Sequence, residues 1–172
     1  TRLFSVNMIF KKEITNNATR LPDDDGAWRK NDLPHDWSIE DVPNQMPGSI
    51  VGSFSKAAIS QRDCGFLVGG AAWYRKHFII DKASSNKKIC IQFDGVYMNA
   101  DVWINGHHLG NHPYGYTSFS YELTPYLLQT GQSNVIAVRV KNEGRNSRWY
   151  SGDGIYRHGW LPTVEALHIV TW

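Results

Sequence analysis

The densest group of side chains able to hold another molecule runs from Asn146 to Asp153, in the stretch Asn-Ser-Arg-Trp-Tyr-Ser-Gly-Asp. Arg148 brings five N–H donors in a rigid fork, suited to hydroxyls or to a carboxylate. Trp149 and Tyr150 follow in a Ser- and Gly-rich context where large aromatics have no core to fill. Their flat faces can take the CH groups of a pyranose or the surface of a neighbouring domain. Asn146, Arg148, Trp149, Tyr150 and Asp153 are therefore the candidate substrate- or interface-contacting residues.

Other constellations carry less. Asp23-Asp24-Asp25-Gly26 lacks the alternating ligands and distal Glu of a calcium loop, and reads as a solvated turn. His107, His108 and His112 offer no helical pair, and adjacent histidines on a strand point to opposite faces, so no metal site is expected. The remaining acids outside the strands, among them Asp36, Glu40, Asp41, Asp63 and Glu143, show no spacing that marks a facing pair. No cofactor is implied.

The elements that must position these residues are strands. Seven Trp, eight Tyr, seven Phe and fifteen Gly among 172 residues suit pleated, half-buried surfaces joined by tight turns. Lys88 to Asp94 places Ile89, Ile91 and Phe93 on one face, and Val135 to Lys141 turns Ile136, Val138 and Val140 inward, with Arg139 and Lys141 opposite. Trp73 to Ile80, Tyr97 to Ile104 and Val164 to Val170 read as further strands, with Trp73 and Trp103 in the core. Asn105-Gly106 predicts a type I′ hairpin, and Asp94-Gly95 a second, with a meander between them. Thr124-Pro125 predicts a short helical turn capped by Thr124.

Leu33 to Gly70 differs. Pro34, Pro43 and Pro47, with five glycines and no sustained period, predict a long binding or interface loop. A net charge of +2 with dispersed Lys and Arg implies no nucleic-acid partner, and no apolar run is long enough to span a membrane. Cys64 and Cys90 are expected as free, mostly buried thiols.

Four runs, in order, resemble the N-terminal domains of family 2 glycoside hydrolases. They are Leu33-Pro34-His35-Asp36-Trp37; Ala72-Trp73-Tyr74-Arg75-Lys76; Phe93-Asp94-Gly95-Val96 leading to Val102-Trp103-Ile104-Asn105-Gly106; and Asn146 to Gly152 with Gly154-Ile155-Tyr156-Arg157. The combination is most similar to bacterial β-galactosidases. The resemblance implies an all-β, jelly-roll β-sandwich, galactose-binding-domain-like, occupying residues 1–172 as one domain. In the family such a domain precedes an immunoglobulin-like domain and a TIM barrel whose two glutamates perform retaining hydrolysis. Neither is expected in this chain, so it should be inactive alone.

The same resemblance sets the partners: the chain's own downstream immunoglobulin-like and barrel domains, and a β-galactoside or related glycan. It leaves homo-oligomer formation open and favours the bacterial periplasm or exterior over the cytoplasm. The rival reading is a stand-alone carbohydrate-binding module or lectin. Where familiar members of the family resemble this run, the residue before the aromatic pair is a sugar-binding Asp; here it is Arg148, which cannot accept a hydrogen bond or ligate a cation. Asp94 is expected to accept turn amides, Arg157 to be an interior or interface ion-pair partner, and Gly159 to leave a strand slightly underpacked.

Overall fold

The computed structural model describes residues 1–12, 25–40, 54, 58, 61–67, 69–84, 86–144 and 152–169. Alternating apolar residues build two antiparallel sheets. The larger is formed by β2 (Met8–Lys11), β3 (Arg29–Asn31), β4 (Gly70–Ile79), β6 (Ala100–Ile104), β7 (His107–His112) and β9 (Ser133–Asn142), in the order β3-β2-β4-β9-β6-β7. Its spine is the ten-residue ladder of β4 on β9, from Gly70 opposite Asn142 to Ile79 opposite Ser133.

The smaller sheet is centred on β5 (Lys88–Phe93). One edge of β5 pairs with β8 (Phe119–Glu122); the other pairs in one continuous register with β10 (Gly159–Leu161) and β11 (Thr163–Val164). β1 (Arg2–Leu3) completes it beside β10. Both sheets turn their apolar faces inward. Ile89, Ile91 and Phe93 of β5 meet Ala72, Tyr74, Val102, Ile136, Val138 and Val140, all buried in one core cluster. Each Val, Ile or Phe side chain among them contributes about 1.5–3 kcal/mol by leaving water.

The outward face of the larger sheet carries a second cluster. Trp73 and Ala137 are buried there against Trp28 and Trp103. The Arg139 guanidinium lies 5.7 Å from the Trp73 ring and 5.5 Å from that of Trp103, and Arg75 lies 5.7 Å from Trp28. Trp73 and Trp103 thus belong to this outer cluster and not to the main core.

Several local expectations are corrected. Asn105 (φ 50°) and Gly106 (φ 86°) do close the β6–β7 hairpin. Asp94-Gly95, however, makes no hairpin, because the chain crosses there from the small sheet to the large one. Thr124 does not cap its 3-10 turn: Leu123 occupies that position, while Thr124 Oγ1 accepts from the Ile89 N–H at 2.9 Å. The final strand stops at Val164, which pairs with Lys88, the first residue of β5, so no ladder remains for residues 165–169. Leu167 and Ile169 are accordingly 95% and 92% exposed. Asp25 is no solvated turn residue, since it bridges buried Arg75 at 3.0 Å and His77 at 2.7 Å. Cys90 is a free, half-buried thiol on β5.

Candidate functional site

The segment after Asp32 is not an open loop but a plug. The His35 N–H donates to the Ile155 carbonyl at 2.9 Å, and the Trp37 N–H to that of Asp153 at 3.1 Å, so residues 35–37 run beside 153–155 like an extra strand. Tyr97 closes the other side, with its N–H and carbonyl both paired to Gly154 at 2.9 Å. The plug's first part is buried at Leu33, His35, Trp37 and Ser38. Gly154 is required at the junction: it has φ +116°, and a Cβ would lie 2.4 Å from the Tyr74 hydroxyl.

Three side chains tie this junction together. Asp36 Oδ1 accepts from the Ser38 N–H at 2.9 Å, the Ser38 hydroxyl at 2.6 Å and the Asp153 N–H at 2.9 Å. Asp153 Oδ1 accepts from the Asn142 amide at 2.6 Å. Asn142 ends β9 and Asp153 follows the 145–151 connection, so both stems of the candidate loop are bound to one buried framework.

The electrostatics of the framework are strained at one point. Asp153 is fully buried and its Oδ2 has no hydrogen-bond partner. Burial pushes its carboxyl up to about 7; the Asn142 hydrogen bond opposes this, Asp36 adds to it, and Lys12 pulls it back. Nearby, His35 Nε2 lies 3.0 Å from Glu40 Oε2 and His35 Nδ1 lies 2.7 Å from the Tyr74 hydroxyl. Arg29 Nη2 also lies 3.2 Å from His35 Nε2, so the ring sits between the Tyr74 hydroxyl on one side and the Arg29–Glu40 pair on the other. Burial acts to raise Glu40, but hydrogen bonds from Arg29 and His35 outweigh it and hold the carboxyl below its usual range.

Of the five residues singled out in the sequence, Asp153 lies at the base of the loop, as a buried anchor with no exposed surface. Asn146, Arg148, Trp149 and Tyr150 lie outside the described residues, as does most of the 41–60 stretch. Asp36 and Asn142 were not singled out as partners of Asp153. Asp36 gave a faint signal through the Asp36-x-Ser38 turn pattern, and Asn142 gave none. No group of three His, Cys, Asp or Glu side chains among the described residues could hold a metal ion. No helix among them is long and apolar enough to cross a membrane.

A cleft of about 720 Å³ opens beside the plug, its lining including Pro34, Asp94, Tyr116, Tyr156, Arg157 and His158. Asp94 accepts there from the Gln92 side-chain amide at 3.2 Å and the Trp160 indole N–H at 2.6 Å, not from turn amides. Arg157 is exposed and has no ion-pair partner among the described residues, so it is not the interior member of an ion pair.

Two antiparallel sheets packed face to face over one core define an all-β sandwich of jelly-roll type. The model of the family described as "Glycosyl hydrolases family 2, sugar binding domain" matches residues 25–160, and the chain belongs to that family. Over 149 residues it is 52% identical to the β-galactosidase BoGH2A of Bacteroides ovatus, a match covering 86% of this chain and 16% of that protein. It is 32% identical over 179 residues to a β-glucuronidase of Formosa agariphila, covering 96% and 17% respectively. A family 2 member from Bacteroides cellulosilyticus superposes with a TM-score of 0.85 at 46% identity, over 99% of this chain and 22% of that one. The chain thus spans about a sixth of the length of the curated relatives.

Proposed function

We propose that this chain is the non-catalytic domain of a β-galactosidase-like retaining exo-glycosidase. It buttresses a catalytic TIM barrel that follows an immunoglobulin-like domain, and lends the loop from Asn146 to Asp153 to the rim of the sugar site. The observation that carries this reading is the double anchoring of the loop: Asn142 and Asp153, at its two ends, are hydrogen-bonded to each other, and Asp36 holds the second end from the plug. A loop built for contact gains affinity when its ends need no ordering on binding. Arg148, Trp149 and Tyr150 then supply donors and flat faces to the glycan or to the barrel.

Two measurements test it. The 172-residue chain alone should not hydrolyse a nitrophenyl galactoside, and turnover above trace rates would overturn the division of labour. In the full-length enzyme, Arg148→Ala should lower kcat/KM about tenfold, the loss expected for one charge-assisted hydrogen bond. Unchanged kinetics would remove the loop from the sugar rim.

A further inference from the structure

The walls of the cleft beside the plug are fixed by contacts between described loops. The Tyr156 hydroxyl donates to the Gly115 carbonyl at 2.8 Å. A Cβ on Gly95 would lie 2.6 Å from Tyr156 Cζ, and one on Gly115 2.2 Å from the ring of buried Tyr97. The Tyr156 ring is therefore packed directly on the Gly95 backbone, and the 113–118 loop directly on Tyr97. His112 adds a further tie, with Nε2 3.0 Å from Thr117 Oγ1 and its ring stacked on Phe119 at 4.2 Å. Tyr116, 45% exposed, stands edge-on to Tyr97 at 5.3 Å and to Tyr114 at 5.5 Å. This is a preorganised wall that leaves the Tyr116 ring, among those lining the cleft, open to solvent.

We propose that this cleft binds a neutral pyranoside, stacked on Tyr116 and Tyr156 and held through its hydroxyls by Asp94, Arg157 and His158. The size suits it, since small-molecule sites run from about 300 to 1,000 Å³. The polar groups choose the class. Each oxygen of Asp94 accepts a single protein hydrogen bond, which leaves one lone pair on each for a ligand hydroxyl. Arg157 offers free donors on the other side. His158 has Nδ1 3.4 Å from Ser5 Oγ, leaving Nε2 for a ligand. A phosphate or carboxylate would meet the Asp94 charge and a cation would meet Arg157. A polyol satisfies both, because a hydroxyl donates to one and accepts from the other. Its CH face needs the flat apolar surface that the tyrosines provide.

The test is an NMR titration of the 172-residue chain with methyl β-galactopyranoside and methyl β-glucopyranoside. Saturable shifts are expected at the amides of 94–95, 115–118 and 156–158 and at the Trp160 indole N–H, with a Kd of about 1 mM. Arg157→Ala and Tyr116→Ala should each weaken binding about tenfold, while Lys30→Ala, outside the cleft lining, leaves it unchanged. Should Tyr116→Ala fail to fold, exposed Arg157→Ala and Arg157→Lys carry the test. No saturation by about 50 mM, a Kd indifferent to Arg157→Ala, or tighter binding of glucuronate or inorganic phosphate would overturn the proposal. Shifts confined to residues 146–151 would also overturn it, while leaving the proposed role of that loop intact.

Discussion

The Asn142 side-chain amide donates to the Asp153 carboxylate across 2.6 Å, joining the end of β9 to the residue that follows the 145–151 connection. This hydrogen bond, with the Asp153 N–H on Asp36, places a carboxyl that has one unsatisfied oxygen inside the fold. The same geometry that anchors the loop thus makes stability depend on pH.

The sign follows from the shift. Burial pushes the Asp153 carboxyl up to about 7 in the folded chain, against about 3.9 in the unfolded one. Its contribution to stability is fully present below the unfolded value and is lost as pH rises towards the folded one. The three-unit gap corresponds to roughly 4 kcal/mol. Asp153→Asn keeps the acceptor for Asn142 and carries no charge. It should leave stability unchanged near pH 4 and raise it by up to roughly 4 kcal/mol above pH 7. Urea unfolding at both ends of that window is the check, and equal effects at both would refute the assignment.

Asp25 answers a different electrostatic need. The Arg75 side chain is 0% exposed, and Asp25 meets it at 3.0 Å on the outer face of the larger sheet. Removing one partner of a buried pair costs about 3–5 kcal/mol, because the other charge stays buried. Asp25→Ala should therefore destabilise the domain by about 3 kcal/mol. A loss under about 0.5 kcal/mol in thermal or urea unfolding would place Asp25 among the ordinary surface charges.

Asn105 combines a backbone and a side-chain role. It sits at φ 50°; its Nδ2 donates to the Tyr126 carbonyl and to Asn134 Oδ1, each at 2.9 Å, and its Oδ1 accepts from the Val135 N–H at 2.9 Å. Asn105→Gly keeps the turn and loses only the side-chain bonds, at about 1–3 kcal/mol. Asn105→Ala adds the left-handed strain, about 1 kcal/mol more. Equal losses in the two variants would show that the turn conformation contributes nothing.

These residues also mark where the sequence is legible. The alternation in Lys88–Phe93 and Ser133–Asn142 predicts both strands and their inward faces, because one sheet face is buried and the period is two. Asn105-Gly106 predicts its hairpin because positive φ is a local demand. Asp94-Gly95 predicts a turn equally well, but a dipeptide does not say which sheet the next strand joins. Asp25 and Arg75 are fifty positions apart, so their pairing leaves no local trace. Asp153, between two glycines, reads as a loop residue, and only the approach of residues 35–37 buries it. What escaped was long-range: the plug, the anchor and the cleft each form where separate loops converge.

Two glycines separate local from packing demands most sharply. Gly159 has room for a side chain: an added Cβ would lie 3.6 Å from Phe93 and 3.8 Å from Leu33, both ordinary contacts, and its φ is outside the left-handed range. Gly159→Ala should stabilise the domain by about 0.4–1 kcal/mol, mainly by restricting the unfolded chain. Gly154, five residues earlier, has φ +116° and would drive a Cβ to 2.7 Å from the His35 carbonyl oxygen as well as onto the Tyr74 hydroxyl. Gly154→Ala should cost about 3 kcal/mol or more, since backbone strain and a clash against two hydrogen-bonded groups add. Parallel thermal unfolding of the two variants decides it. Opposite signs are expected, and a destabilised Gly159→Ala would mean that the small-sheet edge at β10 tolerates no added packing.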